Sequence, residues 1–382
     1  MKSTGRKKYF ENLDGLRAIA ALAVIFSHAA RWFDYPETKF YEQLKFIFRF
    51  GGDGGGLGVT FFFILSGFLI TFLMFQEQEE HGSIHIVYFY MRRVLRIWPL
   101  YYMTIIVGFA WDPLTSWLSG EVHVEKASIL LYALFAANFD HIYHGMPETG
   151  ILGVQWSVAV EEQFYLLWPF IFHVFSKKKM FPLILLCIIV MSEMFNAGAT
   201  HRAVSHYHLV SNFRFLALGG LLAFVCHFKN DWLSSCLDKL SRRSHWLIYG
   251  MGLSLMLFNQ KLAALVHDYK YAYHFIPPLF FSFVIVEQNF SNHSFFKIGS
   301  CEILNWLGKI SYGLYLTHML AIYLILVLFP QNPEMVLLKV AATLALTVVI
   351  SHGSHAYVES FFMSLKNRFS RMHGDKTSAF KK

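Results

Sequence analysis

Residues 13–29 read LDGLRAIAALAVIFSHA, an apolar segment that contains one arginine, Arg17, and one histidine, His28. At about 100° per residue, their eleven-residue spacing places both side chains on one helix face, about 16 Å apart along the axis. In a membrane helix such ionisable groups are costly, and they usually face the protein interior or a watery cavity. The segment therefore predicts a membrane-spanning helix with its polar groups on a single face.

The rest of the chain is similarly apolar. Of its 382 residues, 55% are hydrophobic, only 15% are charged, and 40 are phenylalanine. A soluble domain of this length does not need so much apolar surface, so we predict an all-α, polytopic membrane helix bundle. About ten transmembrane helices are expected, at residues 13–33, 57–75, 95–111, 156–175, 181–196, 208–228, 245–258, 271–287, 303–329 and 335–358.

Residues 128–140 are apolar but too short to cross hydrocarbon comfortably, and we interpret them as a re-entrant or interfacial segment. This choice keeps Lys177, Lys178 and Lys179 on the inner side. With both termini cytoplasmic, the inner segments hold 21 lysines and arginines and the outer segments 8, which agrees with the positive-inside rule. The net charge of +8 thus reflects topology and attraction to anionic lipids. The lipid bilayer is the expected partner, and nucleic acid is not.

Cysteine and histidine usage gives no sign of a disulfide framework or a metal centre. Under this topology the four cysteines lie in helices or inner loops, where disulfides are not expected; they are Cys187, Cys226, Cys236 and Cys301. Two histidine pairs lack the carboxylates or cysteines that would complete a metal site; they are His141 with His144 and His352 with His355.

Three ionisable residues from separate segments are predicted to lie at the same depth. His28 and His318 rise about 22 Å and about 21 Å from the inner boundary, while Glu161 lies about 8 Å below the outer boundary of a core about 30 Å thick. Taken alone, a histidine here could bond a neighbouring helix, and Glu161 could form a structural ion pair. Their common depth favours a shared site.

Arginines form the second group of candidates. Arg93 and Arg96 share a helix face at the inner mouth of the third predicted span, and guanidinium groups suit phosphate recognition, so a nucleotide-containing substrate is a reasonable ligand. Anchoring to lipid headgroups explains the same cluster equally well. The same choice between site and anchor holds for Arg17, about 6 Å inside the inner boundary. Arg214 serves either a site or a structural pair.

Glycine-rich residues 54–69 come where the chain enters the membrane. The segment lacks the Gly-Lys-Ser/Thr ending of a phosphate-binding Walker loop. Glycine allows close helix approach, so Ser66 and Gly67 are predicted to pack against another helix.

Five motifs, in order along nearly the whole chain, resemble those of the acyltransferase-3 family of bacterial membrane acyltransferases. They are Arg17-x10-His28, residues 58–69 (GVTFFFILSGFL), Arg93-x-x-Arg96, residues 156–165 (WSVAVEEQFY) and residues 310–318 (ISYGLYLTH). Relatives often have aspartate where Thr60 stands, and an acidic residue after the arginine that matches Arg214. Because of these two differences, the family's acceptor contacts at these two positions are not carried over to this chain.

The resemblance implies transfer of an acyl group, commonly acetyl, from cytoplasmic acyl-CoA to a hydroxyl of a cell-envelope or exported glycan. Acyl-CoA would be the donor substrate, with no permanently bound cofactor. The family pattern implies importance for Arg17 and His28, a donor role for Arg93 and Arg96, and an acceptor role for Glu161. Further candidate site residues are His318, Arg214, Tyr165 and Trp156.

The resemblance also implies a multi-pass protein of the bacterial inner membrane that acts on a glycan or lipid-linked saccharide, and contact with glycan-assembly machinery is a further expectation. We expect residues 1–358 to form the membrane acyltransferase domain and residues 359–382 a short basic cytoplasmic tail. Family members often add a periplasmic esterase-like domain, which is not expected after residue 358.

For the reaction, Arg17 would help to guide the donor, and His28 would act as general base or as transient acyl carrier. Intramembrane charges are also typical of a transporter or flippase of an amphiphile, and that alternative stays open. A catalytically silent membrane scaffold is the third interpretation.

Overall fold

The computed structural model describes residues 10–48, 54–120, 124–176, 180–258, 262, 264–265, 274–291, 294, 296–329 and 332–369. Across these ranges the regular structure is helical and includes no strand, which confirms the all-α prediction. Lys177, Lys178 and Lys179, the first nine residues and the tail after residue 369 lie outside the described residues.

The longer helices in chain order are α1 (Glu11–Trp32), α2 (Lys39–Phe48), α3 (Gly54–His81), α4 (Ile86–Ser119), α5 (Ile129–Ala133), α6 (Ala137–Tyr143), α7 (Gly150–Gly153), α8 (Gln155–Phe175), α9 (Phe181–Gly198), α10 (Arg202–Tyr207), α11 (Leu209–Phe228), α12 (Asn230–Asp238), α13 (Arg242–Leu257), α14 (Ile276–Phe290), α15 (Glu302–Lys309), α16 (Ser311–Leu328), α17 (Val336–Ser354) and α18 (Ser360–Lys366). A single π-helical stretch, His355–Glu359, joins α17 to α18.

Seven helical segments of the described chain are long and apolar enough to cross a membrane. They are Glu11–Trp32, Gly54–His81, Ile86–Trp117, Phe181–Gly198, Arg202–Phe228, Ser311–Leu328 and Pro333–Lys366. Each of them contains or overlaps one of the predicted spans. The protein is therefore a multi-pass membrane protein.

The predicted count of ten spans is not confirmed, although the described residues of the other three predicted spans are largely helical. Helix α8 has 21 residues, but Glu161, Glu162 and Gln163 lower its mean hydropathy. Helices α13 and α14 have 16 and 15 residues, shorter than the roughly 20 that cross a bilayer without tilt or thinning.

Residues 128–140 do not form a spanning helix. They fold into α5 and part of α6, which have five and seven residues. Between the two helices Phe135 has a φ of 54°, a left-handed conformation that is unusual for a bulky residue. Its ring stacks on Tyr101 at 4.2 Å, and its carbonyl accepts a 2.7 Å hydrogen bond from Gln163. The segment is thus two short helices joined by a turn, which agrees with the expectation that it does not cross the membrane as a single helix.

Helix ends are set by local chemistry. His85 Nδ1 accepts the Tyr88 N–H at 3.2 Å and caps the start of α4. The other end of α4 stops at Gly120, which has a φ of 77° and donates its N–H to Ser116. Glycine takes this left-handed conformation without a Cβ penalty. These caps bound the 34-residue helix that carries Arg93 and Arg96.

Glycines bring α3 close to its neighbours. A Cβ on Gly67 would overlap the backbone of Leu216 in α11, and a Cβ on Gly219 would overlap the backbone of Ile64 in α3. The predicted close approach at Gly67 is therefore confirmed. A Cβ on Gly58 would likewise meet the Ala20 carbonyl of α1 at 2.9 Å, so α3 is seated against α1 as well. These contacts determine which side chains of α1 and α3 face each other.

We expect Gly219→Ala to destabilise the fold, because its new methyl group must push α3 away from α11. Overpacking of this kind costs about 1–3 kcal/mol. The measurement is the thermal unfolding midpoint in detergent. Gly250→Ala is the matched control, since a Cβ there meets nothing within 4 Å. Equal midpoints for the two variants would contradict the packing described for α3 and α11.

Candidate active site

The first and the penultimate spanning helices meet through two histidines. His28 Nδ1 lies 2.7 Å from His318 Nε2, and the two rings are parallel within 4°. His318 is fully buried, whereas His28 is partly exposed. The sequence predicted that both residues lie at one depth, and the structure places them in direct contact.

The backbone determines which histidine donates in this pair. His318 Nδ1 lies 2.5 Å from the Tyr315 carbonyl, which can only accept, so this nitrogen carries a proton. A second proton on His318 would create a buried charge without a carboxylate partner, which is unfavourable. His318 Nε2 is therefore the acceptor, and His28 donates its Nδ1–H to it. Consequently His28 Nε2 is the nitrogen with a free lone pair.

The lone pair of His28 faces the start of α3. A Cβ on Gly55 would lie 3.6 Å from His28 Nε2, so the missing side chain leaves space beside this nitrogen. Gly55 is itself buried in the first turn of α3. A small group seated beside Gly55 can therefore approach the basic nitrogen.

A second polar cluster lies further along the bundle. Tyr165 shares a 2.5 Å hydrogen bond with the Ser66 hydroxyl and donates a 3.2 Å bond to Glu161. Four residues before Glu161 on α8, Ser157 bonds the Tyr315 hydroxyl at 2.6 Å. Together these groups connect α3, α8 and α16 by side-chain polar contacts in an otherwise apolar interior.

Glu161 does not reach the histidines. Within the described part of the chain, no hydrogen bond joins its carboxylate to His28 or His318. One helical turn separates Glu161 from Ser157, whose partner Tyr315 precedes His318 by one turn. The predicted common layer therefore unites the two imidazoles, and Glu161 belongs to the adjoining Tyr165 cluster.

The three arginines of α4 have different surroundings. Arg92 pairs with Glu77 at 3.0 Å and donates to the Phe369 carbonyl at 2.9 Å, so it holds the C-terminal segment against α4. Arg93 instead lies over two aromatic rings, 5.9 Å from the Phe89 centroid and 5.8 Å from that of Tyr165. Its buried Nε has no hydrogen-bond partner among the residues that the structure describes. The guanidinium group of Arg93, which forms no salt bridge with a described carboxylate, thus borders the Tyr165 cluster.

Arg93 and Arg96 also face the two glutamates of α8. Arg96 lies close enough to Glu161, and Arg93 to Glu162, for favourable electrostatic interaction. Glu162 accepts a 2.9 Å hydrogen bond from the Trp98 indole, and its other carboxylate oxygen is buried without a partner. The sequence assigned the arginines and Glu161 to opposite ends of the site, whereas the structure brings them into one cluster.

Arg17 lies about three turns from His28 on α1 and forms a 2.8 Å ion pair with Asp14. The pair is mostly buried, with side-chain exposures of 18% and 8%. The prediction that Arg17 and His28 share one helix face agrees with the helical structure of α1. The role of Arg17 stays a prediction.

Arg214 and Trp156 have partners other than the histidine pair. Arg214 forms a 2.9 Å ion pair with Glu193 of α9 and stacks over Phe215 at 4.6 Å, which favours the structural alternative. Trp156 contacts His206 and Tyr207 of α10, each with a centroid distance of 5.1 Å. These aromatic neighbours and Glu193 were not identified from the sequence.

Sequence reasoning also missed the hydroxyl groups of the site. Ser157 and Tyr315 lie one turn from Glu161 and His318 on the same helix faces, and that spacing is the signal that would have found them. Over the described ranges, no group of three or more His, Cys, Asp or Glu residues is arranged to hold a metal ion.

A multi-pass helix bundle with a paired imidazole and an arginine cluster inside it defines a membrane protein with a polar interior site. The chain belongs to the acyltransferase-3 family, whose acyltransferase domain matches residues 10–352. This membership confirms the resemblance that the five motifs indicated.

Three relatives are O-acetyltransferases by name. The peptidoglycan O-acetyltransferase OatA of Listeria monocytogenes is 29% identical over 94% of this chain. The putative peptidoglycan O-acetyltransferase YrhL of Bacillus subtilis is 25% identical over 93%, and the O-acetyltransferase OatA of Staphylococcus aureus 26% identical over 92%. The chain spans 57%, 55% and 57% of their respective lengths. No solved structure matches the chain.

The hydrogen-bond order of the histidine pair can be tested by ¹⁵N NMR on protein labelled at its 19 histidines. Comparison with His28→Ala assigns the His28 signals, which we expect to show a proton at Nδ1 and a bare Nε2. In His318→Phe the acceptor is gone, and the preference for this tautomer should decrease. A bare Nδ1 on His28 in the unaltered protein would refute the assignment.

Proposed function

We propose that this protein transfers an acyl group, commonly acetyl, from cytoplasmic acyl-CoA to a hydroxyl of a cell-envelope glycan. Family membership and the O-acetyltransferase names of its relatives support acyl transfer as the reaction class. The observation that carries the proposal is the basic Nε2 of His28, held by His318 beside the open space at Gly55. Such a nitrogen suits proton removal from an alcohol.

The donor enters along the arginine cluster of α4. Arg93 and Arg96 bind the phosphates of acyl-CoA, because neither guanidinium group forms a salt bridge among the described residues and the buried Nε of Arg93 lacks a hydrogen-bond partner there. The pantetheine arm then passes the hydroxyls of Ser66, Tyr165 and Ser157, which can bond its amides. The thioester thereby reaches the histidine pair, where α1 ends and α3 begins.

The acceptor approaches from the opposite leaflet. Its hydroxyl gives a proton to His28 Nε2, and its oxygen attacks the thioester carbon. The imidazolium keeps its Nδ1–H on His318 Nε2, which holds the ring in place and spreads the positive charge over the pair. As the carbon–sulfur bond breaks, the CoA sulfur leaves and takes the proton from His28. The histidine is thus restored for the next turnover.

Aromatic side chains near this end of the bundle form the glycan contact. Trp156, Tyr207 and His206 pack around one another with centroid distances of 4.6 to 5.1 Å. Arg31, one turn beyond His28, lies close enough to Tyr207 and His28 to act on both electrostatically. Sugar rings stack readily on such surfaces, so this cluster can position a saccharide hydroxyl toward His28.

This reaction requires an inner-membrane protein with both termini in the cytoplasm, so that donor and acceptor arrive from opposite sides. The excess of lysine and arginine in the inner segments supports that orientation. The glycan or lipid-linked saccharide would be supplied at the outer face, where glycan-assembly machinery is the natural partner.

We expect His28→Ala to lower acyl transfer in membranes by a factor of about 10²–10⁴, the usual contribution of a general base. The assay follows thiol release from labelled acetyl-CoA at matched expression. His173→Ala is the control, because His173 is an exposed histidine near the C-terminal end of α8, away from the pair. Near-normal transfer by His28→Ala would remove this residue from the mechanism.

We expect Arg93→Gln and Arg96→Gln to raise the apparent KM for acyl-CoA by about 10-fold or more. Charge-assisted hydrogen bonds contribute about 1.5–3 kcal/mol each, and glutamine keeps much of the side-chain packing. The KM for the acceptor should change much less. Arg92→Gln is the comparison, and it should lower stability without raising the donor KM, because Arg92 is engaged by Glu77. An unchanged donor KM in the first two variants would assign these arginines to topology.

A further inference from the structure

A buried hydroxyl group lies beside the proposed catalytic histidine. Ser27 is fully buried, and its Oγ makes no hydrogen bond to any residue that the structure describes. Burying a hydroxyl in this way is unfavourable by about 1–3 kcal/mol, and most buried serines avoid it by bonding a backbone carbonyl. The proposed mechanism does not yet use this group.

Ser27 and His28 both border the space that the missing side chain of Gly55 leaves. The position of a Cβ on Gly55 lies 3.6 Å from Ser27 Oγ and 3.6 Å from His28 Nε2. A small group beside Gly55 can therefore reach the hydroxyl and the basic nitrogen together. The unpartnered hydroxyl is thus directed at the place where the acyl group would react.

The first turn of α3 supplies a favourable electrostatic environment at the same place. Gly54 and Gly55 open this helix and are buried. The N–H groups of a first turn have no acceptor within their own helix, and the positive end of the helix dipole lies there. Glycine lets a reacting group come near this backbone, since no side chain shields it.

We propose that Ser27 Oγ, supported by the first-turn N–H groups of α3, binds the oxyanion of the tetrahedral intermediate, so that Ser27 is a catalytic residue of this protein. The inference rests on the acyl transfer proposed above. It gives Ser27 a function. It also explains why residue 55 is glycine, since a side chain there would fill the space beside Ser27 and His28.

The acceptor oxygen bonds to the thioester carbon while its proton passes to His28 Nε2, and the carbonyl π electrons move onto the carbonyl oxygen. Ser27 donates a hydrogen bond from its O–H to that negative oxygen. The same oxygen also accepts hydrogen bonds from first-turn N–H groups of α3. When the carbonyl re-forms, the carbon–sulfur bond breaks and the sulfur takes the proton from His28. Ser27 keeps its own proton throughout.

A Ser27 without a catalytic role predicts that Ser27→Ala keeps its kcat. Removing an unsatisfied buried hydroxyl relieves a desolvation cost, so Ser27→Ala should leave the fold unchanged or more stable. A loss of catalysis without a loss of stability would therefore distinguish the two roles. Thr343 is a matched control in α17, because its Oγ1 is also buried and has no hydrogen-bond partner in the described part of the chain.

The experiment compares unaltered full-length protein with Ser27→Ala, Gly55→Ala and Thr343→Val in cell-envelope membranes, which supply the acceptor hydroxyl. Each is assayed at matched expression for thiol release from acetyl-CoA, with kcat and KM determined separately, and after purification for the thermal unfolding midpoint. We expect Ser27→Ala to lower kcat by about 10²-fold, as loss of one oxyanion donor does elsewhere, with the KM for acetyl-CoA unchanged. Thr343→Val should keep full activity.

Gly55→Ala provides a second, independent variant. Its new methyl group meets its neighbours at 3.6 Å or more, an ordinary contact distance, so the fold is maintained while the oxyanion space is filled. We expect a large fall in kcat here also. In His28→Ala, further loss of the Ser27 hydroxyl should have a much smaller effect, because the two residues act on one intermediate.

The outcomes distinguish a failure of the proposed role of Ser27 from a failure of the acyl transfer on which that role rests. If unaltered protein releases no thiol from acetyl-CoA, the proposed function fails, and the role of Ser27 fails with it. If unaltered protein is active but Ser27→Ala keeps its kcat, only the oxyanion role is overturned. A raised KM with unchanged kcat would assign Ser27 to donor binding, which also contradicts the proposal.

Discussion

The hydrogen bond between His28 and His318 is the contact on which the rest of the site depends. It joins α1 to α16 across 290 positions of sequence, and the Tyr315 carbonyl fixes its direction. In an apolar bundle, an imidazole must find a polar partner or leave a costly unsatisfied group. The pair meets this requirement with one nitrogen left over. That nitrogen is available for chemistry because the other three are engaged.

Close helix packing positions this nitrogen. Gly58 allows α3 to lie against Ala20 of α1, and one turn earlier Gly55 faces Ser27 and His28. On its other side α3 is held by α11, through Gly67 and Gly219. The same small residues that let the backbones approach therefore keep an open space beside His28. Packing and function are coupled along a single helix.

Some polar groups of the interior are paired with other protein groups, and others have no such partner among the described residues. Arg92 is engaged by Glu77 and by the Phe369 carbonyl, which explains a structural role in holding the C-terminal segment. Arg93, on the next position, has a buried Nε without a partner and lies over Tyr165. Arg93 and Ser27 are the two groups without such a partner to which the proposed mechanism gives a substrate contact.

The sequence alone determined the membrane class, most of the spanning segments, and the common depth of His28 and His318. These properties depend on hydropathy and on the rise per residue, which are local. The family motifs also identified the residues that the structure places in the interior. Only the tertiary structure decided which partners these residues take, because helix rotation and crossing geometry are set by packing against distant segments. For this reason Glu193 as partner of Arg214, Tyr165 between Glu161 and Arg93, and the unpartnered Ser27 beside Gly55 appear only in the folded protein.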